Sequence, residues 1–499
     1  MSAAPATELD PRRWRALWVS MIAGFMGLLD VSIVAVALPS MQKSLHTSDS
    51  SVQWVVSGYA LAFGLALVPA GRLGDSWGRR RIFLLSLAGF VATSALCGAA
   101  PSLSLLVAAR LLQGLVAGML GPQNSGLIQD LFRGEERARA FGLYGASVGL
   151  SQAVGPIVGG AILGLFGEPE GWRWIFYVNV PIGLAALLVA PRVLPGRRPE
   201  QIADRTPVSR RLDPMGTALL GVAVLAVLVP LLEYRLLSRL WWLFAVSAVV
   251  FALFFRWEKR VVRLGRREPL LNPALLTSID GYASGTALGV TYFIGFSGLF
   301  MVLALYFQYG LGYSPLRSGL AVTSFALGSS VSSALAGRVV ARWGRWLTVT
   351  GLCAVVVGLL LCAAFLRTAP GTSAGWWAAA PLLLAGIGTG VVISPNLTLT
   401  LTRVPVRMAG AAGAALQTGQ RVGSAVGTAL VAGIYYGVTA TSGPGEAIFA
   451  ALLCATGFVV LALVIAVWDL WRRRPGTGSA AARAAELADV DAPVEVRGE

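Results

Sequence analysis

Asp30 stands in the run LLDVSIVAVALP (Leu28–Pro39), and Arg110 stands in a second apolar stretch, 104–128. Ionisable groups in hydrocarbon are costly, so they face a protein interior or a water-filled path and carry function by default. Hydrocarbon opposes the charge on such a carboxyl, and a neighbouring cation favours it. A group pulled both ways changes its proton occupancy when its surroundings change. Arg110 lies at a depth comparable with Asp30, and Gln113, one turn on, can join the same hydrogen-bond network. Asp30, Arg110 and Gln113 are therefore the candidate proton-binding group. The alternatives are cation recognition without proton coupling and a permanent structural ion pair, with Arg110 tied only to backbone carbonyls of span 1.

Three further groups of residues could do work. Asp75 with Arg79, Arg80 and Arg81 makes a charged cluster in GRLGDSWGRRR (Gly71–Arg81), where Gly71, Gly74 and Gly78 permit a tight turn. A breakable charge network at a helix junction suits a conformational latch, although a basic run can also serve topology alone. Gly145, Gly149, Gly155, Pro156, Gly159 and Gly160 make one helix narrow and bent. They are candidates for a hinge and seal, against ordinary helix packing. Arg421, beside Gln417, is a second buried cation. Two readings are even: contact with an anionic or carbonyl-rich ligand, or capping of backbone oxygens. Trp54, Tyr59, Gln152, Tyr306, Gln308 and Asn396 are candidate cavity residues, since aromatic walls with a few amides suit apolar ligands. Trp54 could equally be an interfacial anchor. His46 reads as a solvated surface residue. Cys97, Cys353, Cys362 and Cys454 lie in apolar segments and read as core. No catalytic cluster, metal site or cofactor is expected.

The elements that hold these residues follow from composition. Of 499 residues, 56% are hydrophobic and 13% charged, with mean hydropathy +0.70. A soluble domain carries roughly 25% charge, so a soluble enzyme is excluded first. Spans of about 20 apolar residues are read at 16–38, 52–72, 82–100, 104–128, 141–166, 174–191, 214–232, 240–255, 281–308, 317–337, 347–366, 377–398, 410–435 and 447–468. With the N-terminus inside, 32 of the 40 Lys and Arg fall in inner loops and tails, and 6 fall outside. That is the positive-inside pattern. The net charge of +16 is then a topological signal rather than a nucleic-acid footprint.

The chain also repeats. GRLGDSWGR (71–79) recurs as GRVVARWGR (337–345). Arg139, Gly142, Gly145, Gln152, Val154, Gly155 and Gly159 match Arg407, Gly410, Gly413, Gln420, Val422, Gly423 and Gly427. Gly114, Gly118 and Asn124 match Gly386, Gly390 and Asn396. The three offsets are similar and each moves the chain by eight spans. Two six-span halves with two extra spans between them account for this, and paired halves around a midplane site are a common transporter plan. The expected organisation is an inner N-tail (1–15), a six-helix bundle (16–195), basic loops with two extra spans (196–279), a second six-helix bundle (280–470) and a disordered tail (471–499).

Five segments together resemble one family, the fourteen-span drug/proton antiporters of the major facilitator superfamily. They are LLDVSIVAVALP in span 1, GRLGDSWGRRR after span 2, RLLQG (Arg110–Gly114) in span 4, GLSQAVGPIVGG (Gly149–Gly160) in span 5 and WRWIFYVNVPIG (Trp172–Gly183) entering span 6. The resemblance covers about residues 14–470. It implies an all-α integral membrane protein of the major facilitator fold, with two six-helix bundles and two extra central helices. It also implies a proton-coupled multidrug or antibiotic exporter, working as a monomer in a bacterial cytoplasmic membrane with both termini inside. Its partners would be protons, lipid and a lipophilic small molecule, and not nucleic acid. Arg outnumbers Lys 38 to 2. That bias suggests a GC-rich genome and self-resistance in an antibiotic producer. A metabolite importer or exchanger of the same fold, or a non-transporting scaffold, are the alternatives. The sequence departs from the family in two places. Ala341 stands where Asp75 has its repeat, and spans 9–14 hold no interior acid. The second departure argues against multivalent cations as cargo and leaves neutral, anionic or monocationic lipophilic compounds.

Overall fold

A computed structural model describes residues 12–472 apart from 48, 53, 168–169, 197–212, 233–236, 265–268, 272, 369–372 and 406–407. The tails, most of the basic loop after span 6, and Arg407 of the repeat thus lie outside the described residues. A chain in lipid must satisfy its backbone N–H and C=O groups within itself, and the apolar runs accordingly form helices. In order they are α1 (Arg13–Ser44), α2 (Trp54–Trp77), α3 (Arg79–Ala99), α4 (Leu103–Leu131), α5 (Gly134–Phe166) and α6 (Asn179–Val193, entered through the short helix Trp172–Tyr177). Then come α7 (Pro214–Leu232), α8 (Trp242–Leu264), α9 (Tyr282–Leu305), α10 (Thr323–Trp343), α11 (Arg345–Thr368) and α12 (Ala374–Leu401). The run Ala409–Arg472 breaks at Gly443 (φ 82°), before Pro444, into α13 (409–442) and α14 (444–472). No strand occurs among the described residues.

Nine helical stretches among the described residues are long and apolar enough to cross a membrane, with α13 and α14 counted as one. Helices α5, α7, α8 and α10 fall short of that measure, yet each packs into the same assembly. Local chemistry sets the ends. Ser102 Oγ accepts from the Leu105 N–H at the start of α4, and Ser314 caps a short helix that has Pro315 at its first turn. The two loop motifs bend at repeat-related glycines, Gly78 (φ 96°) between α2 and α3 and Gly344 (φ 53°) between α10 and α11.

The repeat appears in space as matched glycine contacts. Gly114 and Gly118 of α4 lie against the backbone carbonyls of Tyr59 and Phe63 in α2. Gly386 and Gly390 of α12 lie against those of Phe325 and Ser329 in α10. Small residues that admit a neighbouring backbone are how membrane helices pack. A second matched set joins the halves. A Cβ on Gly71 would fall 2.7 Å from the Gly410 carbonyl oxygen, and a Cβ on Gly142 would fall 2.8 Å from Gly337 Cα. So α2 meets α13, and α5 meets α10, at one end of the bundle. Because Arg12–Arg15, Arg79–Arg81, Arg133–Arg139 and Arg345 cluster there, it is called the basic end below. The second half carries its own apolar core, from Leu288 to Ala466. The extra helix α7 packs on α2 of the first half and on the run Ala409–Arg472 of the second, and Leu220, Val224 and Phe254 join a cluster that holds Phe83 and Phe141 of the first half and Leu401 and Leu416 of the second.

Candidate functional site

Asp30 is fully buried, and α4 brings Arg110 to it. The close approach at Gly114 sets the rotation of α4, and Arg110, one turn earlier, is aimed across α2 at α1. Arg110 Nη1 donates to Asp30 Oδ2 and, at 2.9 Å, to Gln113 Oε1, while its Nε donates to the Val55 carbonyl at 2.8 Å. Gln113 Nε2 and Asn179 Nδ2 each donate to Asp30 Oδ1 at 3.2 Å. The carboxyl group thus accepts from three donors on α4 and α6. Arg110 Nη2 is buried without a partner. The guanidinium instead lies over the Tyr59 ring, 4.1 Å from its centroid, and the Tyr59 hydroxyl donates to the Gly27 carbonyl at 3.0 Å. Breaking such a pair by removing one partner costs about 3–5 kcal/mol.

Between the halves lies a cavity lined by residues of both. Phe63, Phe293, Phe296, Phe300 and Phe325 make much of its wall. Asn124, Ser329, Gln417, Gln420 and Arg421 supply polar atoms. Asp30 and Arg110 are not in the wall. They sit one layer behind it. Tyr59 stacks with Phe63 at 6.0 Å, and Arg421 lies over the other end of that stack, 4.5 Å from the Phe63 centroid. Two rings on one face of α2 therefore connect the buried ion pair to the cavity.

At the basic end Asp75 crosses from one half to the other. Its Oδ1 pairs with Arg79 Nη2 at 2.9 Å, and its Oδ2 accepts the Ala411 N–H at 3.2 Å, in the first turn of α13. A carboxylate is favoured at a helix N-terminus. Arg79 also pairs with Asp130 at 2.6 Å and donates to the Gly126 carbonyl. Other bonds between halves lie towards the same end. Arg137 donates to the Thr402 carbonyl at 3.2 Å, Ser333 to that of Gly142 at 3.1 Å, and Gln417 to Ser125 Oγ at 3.0 Å.

Comparison with known proteins decides the family. Its family model, the Major Facilitator Superfamily, matches residues 20–428 and 288–492. The chain belongs to the Major Facilitator Superfamily. It is 36% identical over 435 residues to the probable actinorhodin transporter of Streptomyces coelicolor, covering 86% of this chain and 73% of that one. It is 39% identical over 440 residues to the puromycin resistance protein pur8 of Streptomyces alboniger, covering 86% and 83%. Among solved structures the proton:xylose symporter XylE superimposes with a TM-score of 0.66 at 15% identity, covering 93% of this chain and 96% of that one, a likeness of fold. The chain is thus a multi-pass membrane protein of a transporter superfamily.

Within this facilitator fold several sequence expectations change. Gly71 and Gly74 sit inside α2 rather than in a turn, and their role is close approach, to Gly410 and to Gln123 respectively. Gly78 alone of the three makes the bend. Arg80 donates to the Pro191 carbonyl at 2.6 Å within its own half, so it is not part of the inter-half contact. On α5, Gly145 and Gly149 face Ser333 and Ser329 of the other half, Gly155 and Gly159 face Ser32 and Ile33 of α1, and Gly160 has no neighbour within 4 Å. The side chains of Gln152 and Pro156 lie outside the description. Of the expected cavity residues, Gln417 and Arg421 line it. Tyr59 does not, because its ring is committed to Arg110. Tyr306 is buried in the second core, donating to the Leu366 carbonyl at 2.7 Å. Gln308 lies in the π turn Tyr306–Gly310 that ends α9, away from the cavity wall. Trp54 is at the surface, 36% exposed. Asn396 is occupied by Arg345 Nη1 at 2.7 Å, whereas its repeat partner Asn124 does face the cavity.

Two groups had no reading in the sequence. Arg345, the repeat of Arg79, pairs with Asp469 at 2.8 Å, so the last helix supplies the acid that Ala341 lacks. Asp213 and Glu258, from the ends of α7 and α8, meet over Gly216, where a Cβ would fall 2.5 Å from an oxygen of each. Trp257 Nε1 donates to Asp213 Oδ2 at 2.7 Å and the Leu271 N–H to Glu258 Oε2 at 3.3 Å, while Arg72 of α2 holds the Leu270 carbonyl at 3.1 Å. Glu258 lies past the apolar stretch 240–255. Burial, with Asp213 adding, pushes its carboxyl up to about 7 against the Leu271 N–H. The folded protein then binds more protons than the unfolded chain from the ordinary carboxylate range up to about pH 7, so this group's stabilisation is lost as pH rises through that window. Glu258→Gln is expected to flatten the fall in melting temperature between about pH 5 and about pH 8. Equal slopes for variant and wild type would show that Glu258 takes up no proton on folding.

Proposed function

We propose that the protein is a proton-coupled exporter of lipophilic small molecules in a bacterial cytoplasmic membrane, working by alternating access. The observation that carries this is the Asp30–Arg110 pair, buried one aromatic layer behind a cavity that both halves line. The basic end is the cytoplasmic face, by the positive-inside pattern. In the described conformation Gly71–Gly410, Gly142–Gly337 and Asp75–Ala411 hold that face shut. Protonation of Asp30 from outside loosens its hold on Arg110, and the Tyr59–Phe63 stack carries the change to the cavity wall. Opening of the basic end then exposes the cavity to the cytoplasm, where cargo binds and the proton leaves. The likeness to a named transporter and a named resistance protein supports outward movement, since a transporter confers resistance by lowering the inside concentration. Self-resistance in a producing organism is the role this gives it.

The test uses purified protein in liposomes with an imposed pH gradient and an internal pH dye. Puromycin and other lipophilic antibiotics are added in turn. At least one compound should accelerate collapse of the gradient over protein-free liposomes. A series in which none does so would remove the coupling reading.

A further inference from the structure

Arg421 is the only charged residue among the described residues that line the cavity. Three other arginines of the interior each hold a carboxylate, Arg79 with Asp75 and Asp130, Arg110 with Asp30, Arg345 with Asp469, and buried Arg72 holds the Leu270 carbonyl. Arg421 makes no hydrogen bond or ion pair among the described residues. Its contact is the face of Phe63. The titratable side chains facing it are the phenols of Tyr59 and Tyr144, not carboxylates. A guanidinium held at membrane depth without an anion is costly, and its donors are turned to a space built for a ligand.

The rest of the wall narrows what that ligand is. Phe293, Phe296 and Phe300 follow one face of α9, and Phe325 of α10 packs on them, with the Phe300 and Phe325 centroids 5.2 Å apart. Such a wall favours flat rings, which stack offset or edge-on. Gln417, Gln420 and Asn124 can bond carbonyl or hydroxyl groups on the ring edges. The planar fork of Arg421 fits a carboxylate or an ionised ring hydroxyl, and a guanidinium binds carboxylate with two parallel bonds. No acid in the wall would welcome an ammonium group.

We propose that Arg421 is the receptor for the acidic group of the cargo, and that the cargo class is flat aromatic anions. The assignment deepens the export reading and rests on it for transport. Binding can be read separately. When such an anion docks, it draws Arg421 off Phe63, and the Phe63–Tyr59 stack passes this to Arg110. Cargo and proton are thereby set to compete across two rings rather than at one shared oxygen.

The experiment measures fluorescence-detected binding to the purified full chain of three charge forms of one ring system: anthracene-2-carboxylate, its carboxamide and the corresponding aminomethyl compound. Wild type should bind the carboxylate about 10-fold or more tighter than the carboxamide, the gain of a charge-assisted fork over a neutral bond. The aminomethyl compound should bind weakest. Arg421→Gln should bring the carboxylate-to-carboxamide ratio to near one, and Arg421→Lys should keep much of the preference. Wild type that fails to prefer the carboxylate, including protein that binds none of the three, overturns the proposal. So does an Arg421→Gln protein that keeps the ratio. If that variant binds nothing, Arg421→Lys decides: a kept preference upholds the assignment and a lost one overturns it. Carboxamide or ammonium compounds that bind better and still collapse a pH gradient would sink the anion reading and leave export standing. Arg421-dependent carboxylate binding with no proton movement for any compound would do the reverse.

Discussion

Asp30→Asn is expected to abolish substrate-driven proton movement while leaving a folded protein. Asparagine keeps the shape and one acceptor oxygen, which serves either Arg110 or the Gln113 and Asn179 amides but not both, and it cannot take up and release a proton. Coupled flux in liposomes should fall by about 100-fold, a change of about 2.7 kcal/mol in the coupled step. Asp30→Glu keeps a titratable carboxyl and should retain part of the flux. Arg110→Ala differs in kind. It leaves the carboxylate buried without its cation, at a cost of about 3–5 kcal/mol, so it should lower both the melting temperature and transport. The measurement is collapse of an imposed pH gradient on addition of a transported compound, with variants at equal protein content. Wild-type coupled flux in Asp30→Asn would show that the proton travels elsewhere. The voltage dependence adds a check on the cargo. A proton entering as an anion leaves moves two charges per cycle, each worth about 2.3 kcal/mol per 100 mV, so flux of an anionic cargo should rise steeply when the liposome potential favours it.

Gly71→Val is expected to hold the basic end open. The added Cβ would lie 2.7 Å from the Gly410 carbonyl oxygen and 3.0 Å from Ala414 Cβ. The first contact is backbone, so no side-chain rotation relieves it. Overpacking of this kind costs about 1–3 kcal/mol, which shifts a two-state balance by a factor of about 5 to 150. The cost falls on the state in which the halves touch and not on the state in which they part. Spin labels at Arg81→Cys and Arg403→Cys, both exposed and on opposite halves, report the separation in a background with Cys353 and Cys454 replaced by alanine. Their distance distribution should move to longer values, with transport reduced because the cycle stalls. Gly337→Val, whose Cβ would meet the Ala138 carbonyl oxygen at 2.7 Å, should act alike. An unchanged distribution with normal transport would mean that the glycine contact is incidental to the cycle.

The sequence by itself determined the helices, the repeat and the central ion pair. Each follows from a rule strong in lipid and local in the chain. Apolar stretches must close their own hydrogen bonds, basic loops mark one face, and Asp30 and Arg110, opposite charges in otherwise apolar helices, find their lowest energy against each other. The glycine offsets were legible for a similar reason: Gly114 with Gly118 and Gly386 with Gly390 can admit a backbone, and the same spacing in both halves implies the same contact. Tertiary structure decided what a helical period cannot. Tyr59 and Phe63 are one turn apart on α2, and only the packing of α4 shows that the first ring serves Arg110 while the second faces the cavity. Asn124 and Asn396 are repeats of one another, yet Arg345 claims Asn396, while Asn124 accepts from Ser20 and lines the wall. Asp469 replaces an acid missing more than a hundred residues earlier, and Asp213 finds Glu258 across Gly216. In each case the partner comes from a helix distant in the chain, and the rotation that presents it is fixed by backbone-to-backbone contacts at glycine rather than by any pattern within its own segment.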